Sequence, residues 1–486
     1  MKKKYNLKIG ISLLILSVYF SLFQPISAFS QSDSLLNYLE IATKNNPAVL
    51  QRFNEYQASV QKVPQVGSLP DPELNVGIFL TPMELIGGNQ VAEFQLMQMF
   101  PWFGVLKNSK DEMSLMAKAK YESFRDAKFQ VFYDVQRTWY ELHKIRQNIL
   151  VSEKNAEILR TLERLALVKY KTVSTGGAGS SSSAATSGSA TQSTASGSGG
   201  AMGGMSGGSN GQQNSPSQPS PMQSSSMGTS SGSGLADLYR IQIEIGNLEN
   251  SIALLKNQQN TITARFNAFL NRPVTSSVFL PDTLKTDSLQ VSLLAVSDSM
   301  LVKNPMLTML QYEQESLEAR KRMVTRMGYP MVGLGINYTL INQNEMSTSP
   351  MNGEDMIMPM VKITLPIYRK KYKAQQAEAE LMKTATEQSY KATANSLQTE
   401  YYEAVQAFQD AERRMKLYEN QSMLANKSLD IMVKSFSASS SGSGLTDILS
   451  IRQQTLDYEF RKIEALVDYN TAIAWLKRLM ANIEIH

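Results

Sequence analysis

The sequence has no cysteine among its 486 residues. That excludes disulfides, thiolate metal centres, cysteine nucleophiles and a lipid-modified N-terminal cysteine. Histidine is almost missing as well; His143 and His486 are the only two. A histidine triad or zinc site would need one of them, and neither lies in a recognisable partner motif. His143 sits in the helical pattern "WYELHKI" and is expected to be an ordinary packed or surface residue. No catalytic residue and no cofactor are therefore expected, and the chain is read as a non-enzyme. Beyond the N-terminus no apolar run reaches about 18 residues, so no membrane-spanning helix is expected.

What is present begins with "MKKKYNLKIGISLLILSVYFSLFQPISAFSQS". Lys2, Lys3, Lys4 and Lys8 form a positive region, and Ile9 to Phe23 is mostly apolar. Ile26-Ser27-Ala28 is the expected cleavage site, with Ser30 as a second candidate. Residues 1–28 thus read as a signal peptide, with an uncleaved anchor as the alternative. The chain carries 48 basic and 43 acidic residues, and losing those four lysines leaves 44 against 43. The basic excess belongs mostly to the signal and gives no reason to expect a nucleic-acid partner.

The chain repeats itself. "KNNPAV" (44–49) resembles "KNPML" (303–307), "FPWF" (100–103) resembles "LPIY" (365–368), and "WYEL" (139–142) resembles "YYEA" (401–404). "SGSGLADLYRIQ" (231–242) resembles "SGSGLTDILSIR" (441–452). The offset between copies falls from 262 at Trp139/Tyr401 to 210 at Gly234/Gly444, so the first copy carries 52 additional residues between Tyr170 and Leu235. That insertion, about 173–234, is rich in Gly and Ser and free of charge, a composition that predicts disorder. The expected plan is a first repeat over 29–270, a linker over 271–290 and a second repeat over 291–486.

Each repeat opens with a helical piece that exits at proline, Pro70 and Pro72 in one and Pro330 in the other. Short period-two segments follow. Val332, Leu334, Ile336, Tyr338 and Leu340 alternate with small or polar residues, as do Leu74, Val76, Ile78 and Leu80 until Phe79 breaks the pattern. Strands are expected at 72–81, 91–100, 331–342 and 356–365, with weaker alternation in the second and fourth. Such lengths suit a tilted membrane-crossing strand, and equally a half-buried strand of a soluble sheet. Long helical hairpins are then expected over 103–270 and 367–480. Their first arms run about 70 residues without internal proline, or ~105 Å. Leu238, Ile241, Ile245, Leu248, Ile252 and Leu255 form a coiled-coil seam in the first return helix. The second carries two lines, Ile448 and Ile451, and Leu449, Leu456, Phe460, Ile463 and Val467.

Signal, repeats, paired strands and hairpins in this order, with "SLPDPEL" (68–74), "QMFPWFG" (98–104) and the "GLTDIL" tip, make the chain resemble the TolC-like outer-membrane efflux family, most of all its heavy-metal (copper/silver) branch. The resemblance implies an α+β membrane protein. Three protomers would each give four strands to one 12-stranded outer-membrane β-barrel, continued by a long periplasmic α-helical barrel of coiled-coil hairpins. It implies a homotrimer in outer-membrane lipid of a Gram-negative cell, reaching into the periplasm. A periplasmic adaptor (membrane fusion) protein and an inner-membrane RND-type transporter would be its partners. It implies a passive exit duct. A type I-like protein-secretion duct and a non-conducting coiled-coil envelope protein remain as alternatives.

By the same resemblance, Gly234, Leu235, Gly444 and Leu445 would be adaptor-docking hairpin tips. Asp237 and Asp447 match the carboxylates that constrict the tunnel mouth, where rings of like charge would favour cations. An acid in the first turn of a helix also suits the helix dipole. The tip-locking tyrosine and arginine of the family match Ala438 and Ser443, and Ser450 stands one turn beyond Asp447, at a position for a second acid in relatives. Arg240 and Arg452 are therefore the candidate gate partners. Methionine is abundant, with 26 residues. Met202, Met205, Met222 and Met227 lie in the insertion, and Met346, Met351, Met356, Met358 and Met360 surround a loop of the second repeat. Thioethers suit Cu(I) and Ag(I), so the insertion is a candidate metal site; a flexible loop with soft, gap-filling methionines is the alternative.

Overall fold

The computed structural model describes residues 35–85, 87–176, 234–288, 293–438 and 444–481. The signal peptide and Met202, Met205, Met222 and Met227 lie outside the described residues. The described elements are α1 (Leu35–Asn45), α2 (Pro47–Gly67), β1 (Glu73–Leu85), β2 (Gly88–Phe100), α3 (Val105–Gly176), α4 (Gly234–Phe269), α5 (Leu293–Lys303), α6 (Pro305–Met327), β3 (Met331–Asn342), β4 (Met356–Thr364), α7 (Arg369–Ala438) and α8 (Leu445–Leu479). The chain forms two compact units. One holds the chain through Val151, Ile252–Lys427 and Gln454 onward; the other holds Ser152–Ser251 and Ser428–Gln453. Both repeats contribute to both units.

The single helical piece expected at the start of each repeat is in fact two helices. The break falls at the Asn-Pro pairs. Asn46 caps α2 by accepting from the backbone N–H of Ala48 and Val49 at 2.9 and 3.3 Å. Pro47 follows at the first helical position, where a missing N–H costs nothing and the fixed φ helps. Asn304 and Pro305 do the same for α6, with Met306 N at 2.9 Å. The other end of each asparagine reaches far along the chain. Asn46 Nδ2 donates to Phe269 O at 2.9 Å, and Asn304 Nδ2 to Leu479 O at 3.5 Å. These carbonyls end α4 and α8, where intrahelical partners run out. One side chain thus starts one helix and finishes another, in both repeats.

Two cores are described in the first unit. In one, Tyr38, Phe132 and Phe266 are fully buried, with Tyr38 and Phe266 edge to face at 5.1 Å. Burying each such ring contributes roughly 1.5–3 kcal/mol. The other joins Met300 and Leu307 to Tyr401, Ala404 and Leu476. The matched "WYEL" and "YYEA" motifs serve these cores through Trp139, Tyr140 and Tyr401, whereas Tyr402 is exposed. The stretch between the repeats is strapped down rather than loose. Arg146 pairs with Asp282 at 3.1 Å, Gln147 donates to Asp282 O, and Asn470 bonds the backbone at Lys285 and Asp287. Lys477 pairs with Asp287 at 2.7 Å.

The four strands form one antiparallel sheet in the order β1-β2-β3-β4. The central pair, β2 and β3, comes from different repeats. The expected strands are all present. β1 extends to Leu85, past a register shift between Ile78 and Met83. That irregularity is why the alternation fails at Phe79.

Candidate functional site

The register sorts the sheet into two unlike faces. On one face Leu74, Leu96, Ile336 and Pro359 align across the four strands. The next row is Val76, Phe94, Tyr338 and Ile357, and Leu334 stands opposite Val361. Leu74, Val76, Ile78, Leu96, Leu334, Ile336, Ile357, Val361 and Ile363 are exposed. An exposed apolar face this broad marks a surface that is covered in use. The other face carries Asn75, Gln95 and Asn337 in one row, Gly77, Glu93 and Thr339 in the next, and Glu73 and Met97 in a third. Asn337 donates to the Glu93 carboxylate. Among the described residues β1 pairs only with β2 and β4 only with β3. Each outer strand therefore presents an unpaired edge to any further strand.

Aromatic residues gather where the strands meet the helices. Trp102 stacks on Tyr329 at 5.4 Å with ring planes 13° apart. Phe103, next to Trp102 in sequence, and Tyr368, between β4 and α7, are exposed. Apolar band and aromatic margin together are the pattern of a lipid-facing barrel wall.

The expected tip residues fall in the second unit. Arg240 Nη1 reaches Thr446 Oγ1 at 3.3 Å, so the start of α4 lies beside the start of α8. Asp237 and Asp447 occupy the first turns of those two helices. Asp447 is exposed and Asp237 half-buried. The two arginines are not equivalent. Arg240 is exposed, while Arg452 is buried. The two leucines also differ, Leu235 being exposed and Leu445 buried beside Ile448 and Leu449. Gly444 has φ 154°, on the positive side that a side chain disfavours, and it opens the turn into α8. Gly234 is the first residue of α4. Arg160–Glu249 and Gln242–Glu163 contacts tie α3 to α4 within this unit.

His143 is buried, as a packed residue should be. Burial pushes its imidazole below the ordinary value, and nearby Arg146 pushes the same way. Among the described residues no group of three His, Cys, Asp or Glu could hold a metal. Also among them, no helix is long and apolar enough to cross a membrane. Sequence reasoning missed Met97 and Met99 of β2, and it grouped Met356, Met358 and Met360 around a loop, whereas they lie in β4. Met97, Met99, Met356, Met358 and Met360 all share the polar face. Their spacing of two within each strand was the available signal.

Comparison with protein-family models and with curated proteins gives no match. Comparison with solved structures gives matches over nearly the whole chain. The open state of the MtrE outer membrane channel of Neisseria gonorrhoeae is 14% identical, with 92% of this chain and 89% of that chain covered and a TM-score of 0.65. The outer membrane protein VceC of Vibrio cholerae is 13% identical, with 92% and 96% covered and a TM-score of 0.65. CusC, solved in a study of its folding and transmembrane channel formation, is 11% identical, with 92% and 91% covered and a TM-score of 0.65. At such identity the likeness speaks for the fold alone. The chain has the fold of these outer-membrane proteins, the TolC-like fold that the sequence resembles.

Proposed function

We propose that this chain is one protomer of a trimeric outer-membrane exit duct in a tripartite efflux pump. It would conduct passively from periplasm to exterior and catalyse no reaction. The observation that carries this is the sheet, with one apolar exposed face and two unpaired edges. Unpaired backbone groups in hydrocarbon cost several kcal/mol each, so four strands cannot stand alone in lipid. Three copies supply twelve strands and leave no edge.

The first 28 residues would direct export and be removed. The hairpin tips around Gly234, Leu235, Gly444 and Leu445 would meet a periplasmic adaptor, and an RND-type inner-membrane transporter would supply energy. Leu235 is the better contact, since Leu445 is already buried in its own protomer. Three copies of Asp237 and Asp447 would ring the periplasmic mouth and favour cations. Of the candidate gate partners Arg240 fits better, because it already links the two tips. Heavy-metal cations such as Cu(I) and Ag(I) are the proposed cargo, on the strength of the methionine content. The native mass of detergent-extracted protein tests the assembly. Three chains per particle are expected; a monomer that stays monomeric in lipid would sink the proposal.

A further inference from the structure

We infer that the polar face of the sheet carries a soft-metal site built by Met97, Met99 and Met360, where thioether sulfurs hold a monovalent Cu(I) or Ag(I) ion. The inference rests on that face lining the duct.

The register brings these residues together. Met97 on β2 faces Gly335 on β3, which faces Met360 on β4. Met99 faces Gly333, which faces Lys362. Glycine inside a strand weakens it and usually marks a close approach by something else. Here the approaching groups are sulfurs. A first side-chain carbon on Gly333 would lie 2.6 Å from Met99 Sδ and 3.2 Å from Met97 Sδ. One on Gly335 would lie 3.0 Å from Met97 Sδ and 2.8 Å from its methyl. Both thioethers of β2 therefore lean across β3 into space that side chains would otherwise fill. Met360 Sδ on β4 accepts from Gln95 Nε2 of β2 at 4.0 Å, so this thioether reaches over β3 from the other side.

The surroundings grade from shielded to open. Met97 is buried, Met99 and Met360 are half-buried, and Met356 and Met358 are exposed on the same β4 face. Thioethers are neutral and soft. They bind Cu(I) and Ag(I) and leave hard ions such as Na⁺ to water. Few neutral ligands also give an affinity low enough for release, which conduction requires. Lys362 opposes a cation at the Met99 row, while Glu73 and Glu93 share the face and favour one.

Simple packing would be served as well by leucine, since Leu and Met exchange at little cost. The test therefore compares the full-length protein with M97L/M99L/M360L, which keeps every insertion methionine. Equilibrium dialysis against Ag(I), and against Cu(I) under reducing conditions, measures bound metal; Na⁺ conductance in a planar bilayer is measured in parallel. The expected result is a loss of about one ion per chain in the variant, with native mass unchanged. Equal binding by both proteins overturns the site. If the triple variant does not assemble, M99L and M360L singly must each weaken Ag(I) binding at least about tenfold; unchanged affinity in both overturns the site as well. Failure of the duct reads differently. Wild-type protein without Na⁺ conductance overturns the channel lining on which the inference rests, whatever the dialysis gives.

Discussion

Asn46 and Asn304 each do two jobs, capping one helix and holding the last carbonyl of another. Replacing Asn46 with Ala removes a cap and a long-range bond. It should cost about 1–3 kcal/mol, read as a lowered unfolding midpoint. Asn46→Asp keeps the acceptor and loses the donor, so it should fall between. The Asn-Pro pairs are visible in the sequence as repeats. Their second role is not, because Phe269 lies 223 residues from Asn46. His143 gives a pH prediction. An unfolded histidine titrates near 6.5, and the folded one lower. Between those values the unfolded chain binds more protons, so stability is full above about pH 6.5 and falls as pH drops through the folded value. His143→Leu should shrink the difference in unfolding midpoint between about pH 7.5 and 5.5. An unchanged difference would show that another group governs it.

At the scale of elements, the long arms α3 and α7 are legible because nothing interrupts them. No proline breaks either helix, and their starts follow Pro101 and Pro366. β1 and β3 show clean alternation over much of their length. β2 and β4 are harder to see, and the sheet explains why. Several of their polar-face positions, 97 and 99 in β2 and 356, 358 and 360 in β4, are taken by methionines, which look apolar in sequence, so the two faces blur. The same cause hid Met97 and Met99 of β2. A paired substitution tests the assignment of faces. Ile336→Arg puts a charge on the apolar face and should cost about 2–4 kcal/mol in lipid, seen as a loss of liposome insertion. Asn75→Lys, on the opposite face, should insert as well as wild type. Equal damage from both would contradict the two-faced sheet.

For the whole molecule, the fold was legible from order and spacing more than from any one motif. Signal-like start, matched motifs, strand pairs and uninterrupted helices each have ordinary explanations alone. Together they fit a TolC-like protomer, and the four-stranded meander with its central β2–β3 pair has that form. The matched starts of α4 and α8 were legible because two copies of "SGSGL" precede an aspartate. The unequal burial of Arg240 and Arg452 was not, since it depends on which helix faces pack. If Asp237 and Asp447 ring the mouth, Asp237→Asn with Asp447→Asn should lower cation over anion selectivity severalfold, measured as a reversal-potential shift in a salt gradient. Arg240→Ala should raise open probability if the Thr446 contact holds the tips together.

The central claim is that this chain makes a water-filled path across a lipid bilayer. Purified full-length protein added to a planar bilayer tests it most directly. Stepwise, uniform conductance increments are predicted, and Ile336→Arg should make them rare while Asn75→Lys leaves them frequent. Protein that binds the bilayer as a trimer yet passes no current, at any voltage the membrane survives and with the Asp237, Asp447 and Arg240 changes in place to relax the mouth, would contradict it.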